Sequence, residues 1–269
     1  MLFLDKFSFP TVIFVVFLPG MLYNSGMKTL IDFHTHTIAS GHHTTDTLTT
    51  IAEEAAKRGL KYLGVTDHAP KMSGAASESY FMNLKYCDKK LYGVKILYGA
   101  ELNVLNKAGE VDLPVEILKT LDYSIASLHK DVIRPAGEKL DTEAVSNAMK
   151  NPFVSIIGHP DDPAFSVNFE TLTDEAKKTG TILEFNAVGV SPEGYRKKNV
   201  EGLIEMLLLC KRKGVFVSLG SDSHGKSRVA EFENCYKVLK DISFPKELLL
   251  NDKPEIFSEL VAAKKSQKI

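Results

Sequence analysis

Seven short apolar runs recur along this chain, separated by segments of helical periodicity, several of which stop at glycine. The runs cover 28–34, 61–66, 95–100, 122–127, 153–158, 181–186 and 215–220, and are rich in Val, Ile, Leu, Phe or Tyr. Between them, "TLTTIAEEAAKRG" places Leu48, Ile51, Ala52, Ala55 and Ala56 on one stripe and ends at Gly59. "TDEAKKTG" ends at Gly180 and "VEGLIEMLLLCKRKG" at Gly214. Strands that alternate with helices in this way form βα units and a parallel sheet. An α/β architecture follows, either an open doubly wound sheet or a barrel, and both place ligands at the carboxyl ends of the strands. The length of 269 residues suits one such domain, and 44% hydrophobic residues suffice for its core.

The eight histidines follow this strand pattern. His34 and His36 close the first run, and His42 and His43 lie in the loop beyond it. His68 follows the second run in "LGVTDHAP", and Glu101 the third in "LYGAELNV". His129 follows the fourth in "SIASLHK", and His159 the fifth in "SIIGHPDDP". Asp222 and His224 follow the seventh in "VSLGSDSHG". Taken singly, an HxH pair or a GHP turn is a common feature of loops, and Asp67 beside His68 reads equally as a helix cap. Taken together, they gather at one mouth. Residues i and i+2 of a strand face the same way, so His34 and His36 can grip one ion, and Asp222 and His224 repeat that geometry. Imidazole with carboxylate and without thiolate suits zinc, manganese or iron. The donors exceed the needs of one ion and suit two or three.

Charge and cysteine content narrow the classes. A net charge of −1 argues against a dedicated nucleic-acid binder. Cys87, Cys210 and Cys235 are few and widely spaced, which reads as reduced, buried thiols in a cytoplasmic protein. Residues 1–26 include the apolar stretch "FPTVIFVVFLPGMLY", too short for a stable membrane span. They are expected to be an upstream extension with Met27 as the working start, a weak signal or anchor being the alternative.

The ordered set "DFHTHT", "GVTDHAP", "GAELNV", "SLHK", "GHPDDP" and "GSDSHG" resembles the PHP (polymerase and histidinol phosphatase) family, in particular its small bacterial stand-alone phosphatases. The likeness covers about residues 28–250, within a catalytic domain of 27–269. It implies a distorted (β/α)7 TIM-like barrel with three divalent metal ions at its carboxyl mouth, zinc before manganese or iron. Carried over by position, His34, His36, Glu101 and Asp222 would hold the first ion. Glu101 would bridge to a second, completed by His129 and His159. His68, His224 and one of the His42–His43 pair would hold the third. The spacing from His36 fits His42 and the spacing back from His68 fits His43, so one residue is extra here; His42 is the expected ligand.

Clustered divalent ions make hydroxide available near neutral pH and clamp phosphoryl oxygens. The expected activity is therefore a metal-dependent phosphomonoesterase acting on a small phosphorylated metabolite, with Glu101, Asp222 and His224 carrying catalysis. Histidinol-phosphate phosphatase is a close alternative, though the long inserted loops of the dedicated enzymes are absent. Exonuclease action and a non-catalytic metal-binding module are further alternatives. Substrate contacts are expected from the loop after the sixth run, "LEFNAVGVSPEGYRKKN", with Asn186 at the strand end and Arg196 as a guanidinium suited to phosphate. Lys130 and Arg134 are weaker candidates. Asp32 and Asp67 are expected either to orient ligands from behind or to cap and pack. Oligomeric state is not legible.

Overall fold

The protein is described from a computed structural model over residues 29–267. The expectations for residues 1–26 lie outside the described residues. Each apolar run contributes strand, in shorter and more interrupted form than the sequence suggests. The strands are β1 (Ile31–Asp32), β2 (Thr35–His36), β3 (Tyr62–Val65), β4 (Lys90–Leu91), β5 (Val94–Tyr98) and β6 (Glu101–Asn103). They continue with β7 (Ile125–Ser127), β8 (Ile156–Ile157), β9 (Ile182–Asn186), β10 (Val217–Gly220) and β11 (Ser223–His224). One sheet has the order β1-β3-β5-β4, a second β10-β9-β8-β7-β6, and a short ribbon pairs β11 with β2. All pairs are parallel except β4 with β5, a hairpin turned at Tyr92-Gly93 that the sequence reading did not anticipate.

The two sheets approach each other through the site residues. A parallel bridge between His68 and Glu101 connects the β3 side to β6. On the other flank, Asp222 donates its backbone N–H to the His34 carbonyl at 2.8 Å. The breaks after Asp32, Tyr98 and Gly220 are what place the chemistry. Each lets the chain jog and resume as β2, β6 or β11, so that His36, Glu101 and His224 stand at the rim.

Helices α1 (Leu48–Lys57), α2 (Glu78–Asn83), α3 (Val115–Leu118), α4 (Glu138–Ala148), α5 (Phe169–Thr179), α6 (Val200–Lys213), α7 (Glu233–Asp241) and α8 (Pro254–Lys265) complete the described chain. α5 and α6 end at Gly180 and Gly214, both left-handed, as a glycine stop requires. Ile51, Ala52 and Ala55 of α1 and Leu203, Met206 and Leu207 of α6 are buried in the main core. Fully burying side chains of this size contributes roughly 1.5–3 kcal/mol each, Ala excepted. A second cluster, including Phe33, Ile156 and Ile182, packs on Phe257 and Val261 of α8. Cys210 and Cys235 are buried as expected, whereas Cys87 is exposed because it lies in a turn beyond α2. Among the described residues no helix is long and apolar enough to cross a membrane.

Candidate metal centre

Glu101, the first residue of β6, is wholly buried, and five imidazoles surround it. Its Oε2 lies 3.4 Å from His34 Nε2, 3.5 Å from His36 Nε2 and 2.7 Å from His68 Nδ1. Its Oε1 lies 3.2 Å from His129 Nε2 and 2.9 Å from His159 Nε2. Asp222 joins from the opposite flank, with Oδ1 at 3.2 Å from His36 Nε2 and 3.8 Å from His34 Nε2. His224 Nδ1 is 3.7 Å from the same oxygen. Both His159 (φ 28°) and Asp222 (φ 52°) have positive φ, a conformation that costs a non-glycine residue energy and is concentrated at functional sites.

The His42–His43 pair divides. His42 reaches inward, with Nε2 at 3.2 Å from His224 Nε2 and its ring stacked on His68 at 4.8 Å. His43 takes a left-handed conformation (φ 58°), stays exposed and meets His42 and His224 edge-on.

Three overlapping groups have one donor atom per residue, all within 4.8 Å of one another: His34–His36–Glu101, His36–His68–His224, and His68–Glu101–His129. His34 Nε2, His36 Nε2, His68 Nδ1 and Glu101 Oε2 are buried and make no hydrogen bond. Buried polar atoms without partners cost free energy, and a divalent cation satisfies a convergent set of such acceptors. The donor set therefore fits a metal ion on its own chemistry.

Electrostatics agree. Burial alone would raise the Glu101 carboxyl, but His34, His68 and His129 outweigh it and hold it well below the usual range. Burial would likewise raise Asp222, yet His34 and Arg196 keep it well below its ordinary value. Burial, with the His224 and His68 rings beside it, pushes His36 well down, so its ring stays neutral, the form a ligand needs. His34 is the exception. Burial lowers it, but Glu184, Glu101 and Asp222 pull it well above the ordinary value.

A family model described as the PHP domain matches residues 32–191. The chain belongs to the PHP family. A probable phosphatase of Clostridium novyi is 43% identical over 225 residues, which are 84% of this chain and 91% of the relative. A probable phosphatase of Acetivibrio thermocellus is 39% identical over 241 residues, 90% of this chain and 98% of the relative. The fold resembles that of histidinol phosphate phosphatase from Lactococcus lactis, described in complex with zinc, L-histidinol and phosphate. That match has TM-score 0.55 and 18% identity, and covers 81% of this chain and 95% of the other. A putative histidinol phosphatase from Listeria monocytogenes gives TM-score 0.56 at 19% identity, covering 77% and 99%. The chain is thus a phosphatase-type hydrolase of the PHP family, with an α/β fold of parallel sheets.

In this PHP chain the rings are aimed by further groups, of which the sequence reading named only Asp67. Glu184 Oε1 sits 2.7 Å from His34 Nδ1, and Asn103 Oδ1 sits 2.7 Å from His129 Nδ1. Ser40 Oγ lies 2.9 Å from His36 Nδ1 and donates to Asp67 Oδ1 at 2.7 Å. Asp67 thereby orients His36 through Ser40, and it also accepts from the Tyr80 hydroxyl at 2.6 Å. Asp32 instead accepts backbone N–H groups of His34, Ser221 and Ala230 and touches no ring, so it ties the strand ends together. Glu184 could have been found: a carboxylate inside the apolar strand "TILEFN" is rarely buried without a partner. Gly220 leaves room for it, because a Cβ there would collide with the Glu184 carboxylate.

Arg196 is only 5% exposed, while Lys197 and Lys198 face solvent. Its Nη1 donates to Asp222 Oδ2 at 2.7 Å and to Asn186 Oδ1 at 3.2 Å, and its Nε to Asp162 Oδ2 at 3.2 Å. Asn186 is fully buried, and its amide donates to Glu184 and Asp222. Lys130 and Arg134 are exposed.

Proposed function

We propose that this protein is a metal-dependent phosphomonoesterase acting on a small phosphorylated metabolite, with a trinuclear centre at the mouth of a distorted (β/α)7 barrel. The observation that carries the reading is the set of three overlapping donor groups around Glu101 and His36. The contacts of His68 with Glu101 and of Asp222 with His34 support barrel closure. His34, His36, Glu101 and Asp222 would hold one ion; Glu101, His129 and His159 a second; His68, His224 and His42 a third. Zinc is the first choice, given an all-nitrogen-and-oxygen donor set rich in imidazole, with manganese or iron as alternatives. Bound there, such ions supply a hydroxide near neutral pH and neutralise the phosphoryl oxygens.

The chain's own residues do the rest. Glu101 presents both oxygens to different histidines, as a bridging carboxylate must. Arg196 commits Nε and Nη1 to Asp162, Asn186 and Asp222, and its Nη2 is available for a phosphate oxygen. Asn186 serves the substrate indirectly, by fixing Arg196 and Asp222. Asp222 is held ionised, the form a metal ligand needs. We place this chemistry in the cytoplasm, consistent with three free thiols.

The test is metal analysis of the purified protein, followed by kcat/KM for a panel of phosphomonoesters that includes histidinol phosphate. About two to three bound ions and turnover of at least one small monoester are expected. Protein that binds no ion under any loading condition, or turns over no ester when loaded, overturns the reading.

A further inference from the structure

His159 and Asp161 stand two residues apart in "GHPDDP", and each carries buried polar atoms that nothing in the protein satisfies. His159 turns Nε2 to Glu101, but its Nδ1 has no partner. This sets it apart from its neighbours: the Nδ1 atoms of His34, His36, His129 and His224 meet Glu184, Ser40, Asn103 and the Asp222 carbonyl. Asp161 is 0% exposed, and neither carboxylate oxygen accepts a hydrogen bond. A buried carboxylate without a hydrogen-bond partner is costly and calls for one. Its surroundings are built around it. Asn199 Nδ2 donates to the Asp161 carbonyl at 3.0 Å, and Gly189 packs so closely that a Cβ there would come within 2.8 Å of Asp161 Oδ2.

We propose that Asp161 is the positioning residue for His159, its carboxylate accepting Nδ1–H when Nε2 binds a metal ion. The proposal rests on the reading that this mouth holds metal. The chemistry is simple. An imidazole that ligates through Nε2 in its neutral form must carry its proton on Nδ1, and that N–H is then a donor in a buried place. Asp161 is the orphan acceptor of the same loop. The pairing would satisfy both atoms at once and complete for His159 what Glu184 already does for His34.

The experiment uses the full chain loaded with Zn2+ or Co2+. Retained metal is measured by elemental analysis against graded chelator, and the Co2+ form is also examined by NMR for solvent-protected, hyperfine-shifted histidine N–H signals. Asp161→Ala should weaken one ion by roughly 10–100-fold and leave the others at wild-type affinity. Asp161→Asn, whose carbonyl oxygen can still accept, should recover most of that loss. The His159 N–H signal should exchange slowly in the wild type and faster in Asp161→Asn. Wild-type affinity for every ion in Asp161→Ala overturns the proposal, as does a fast-exchanging His159 N–H in the wild type. The NMR arm decides the matter if the alanine variant does not fold. Wild-type protein that binds no metal overturns the functional reading itself; metal binding that ignores Asp161 overturns this proposal alone.

Discussion

At the amino ends of β8 and β9 the Lys264 ammonium is 2% exposed, yet it meets Met149 O at 2.8 Å, Thr179 O at 3.2 Å and Thr181 Oγ1 at 2.8 Å. At the mouth, Glu101 and three of the histidines around it are equally buried, but converging atoms of that group make no hydrogen bond. Both ends bury charge. The mouth differs in that several unpartnered polar atoms of imidazoles and a carboxylate converge on one another. Satisfied burial at the lower end holds α8 in place, whereas unsatisfied burial at the mouth is the signature of a ligand that the chain does not itself supply.

The strongest way to break the comparison is to remove the acceptor that five of the histidines share. Glu101→Ala should abolish retention of at least one ion and lower kcat/KM by more than about 100-fold, beyond the effect usual for an outer partner. Its fold should persist, because the core does not depend on that carboxylate. Unchanged turnover in a folded Glu101→Ala protein would sink the site. Next in size is Glu184→Ala, which frees His34 Nδ1 and also the His159 N–H and the Asn186 amide that Glu184 Oε2 accepts. Metal affinity should fall by roughly 10–100-fold, with some loss of thermal stability because buried donors lose their acceptor. A variant that binds as tightly as wild type would show that the His34 ring needs no aiming.

A smaller effect separates the adjacent histidines. His42 stacks on His68 and touches His224, so His42→Ala should weaken the binding of one ion preferentially, seen as reduced stoichiometry after chelator. His43→Ala should keep full stoichiometry. The reverse pattern would assign the ligand to His43 and require the loop to turn over.

These contrasts also mark what was legible in the sequence. Histidines and acids at strand ends could be read because a parallel sheet brings those ends together whatever the details of packing. Apart from Asp67 and Glu184, the aiming groups could not. Ser40 and Asn103 are ordinary polar residues that nothing in their type marks out; Asn103 meets His129 from another strand and donates its own N–H and amide to Asp112. Arg196 was placed by position in its loop, but its inward turn, opposite to that of Lys197 and Lys198, depends on Asp162 and Asp222 arriving from two other strands. The helices outside the glycine-stopped pattern, such as α4 and α7, carry weaker periodicity or start without a side-chain cap, which hid them.

The lower end offers the smallest test, and its sign is fixed by burial. Desolvation lowers the Lys264 ammonium from 10.5 to about 8, with Glu175 only partly opposing it. Below about pH 8 the amine is charged in both folded and unfolded chains, and the full cost of burying that charge is present. Between about 8 and 10.5 the folded protein sheds the proton first, so the unfolded chain binds more protons and stability rises with pH. The whole span corresponds to an order of about 3 kcal/mol. A neutral amine still suits its surroundings, donating to the Met149 and Thr179 carbonyls and accepting from the Thr181 hydroxyl. Urea unfolding of the wild type and of Lys264→Met, each at pH 7.5 and 9.5, isolates this group from the other lysines. The wild type should gain on the variant at the higher pH. A difference that stays flat would mean that water reaches Lys264, and that the lower end is less sealed than the contrast with the mouth requires.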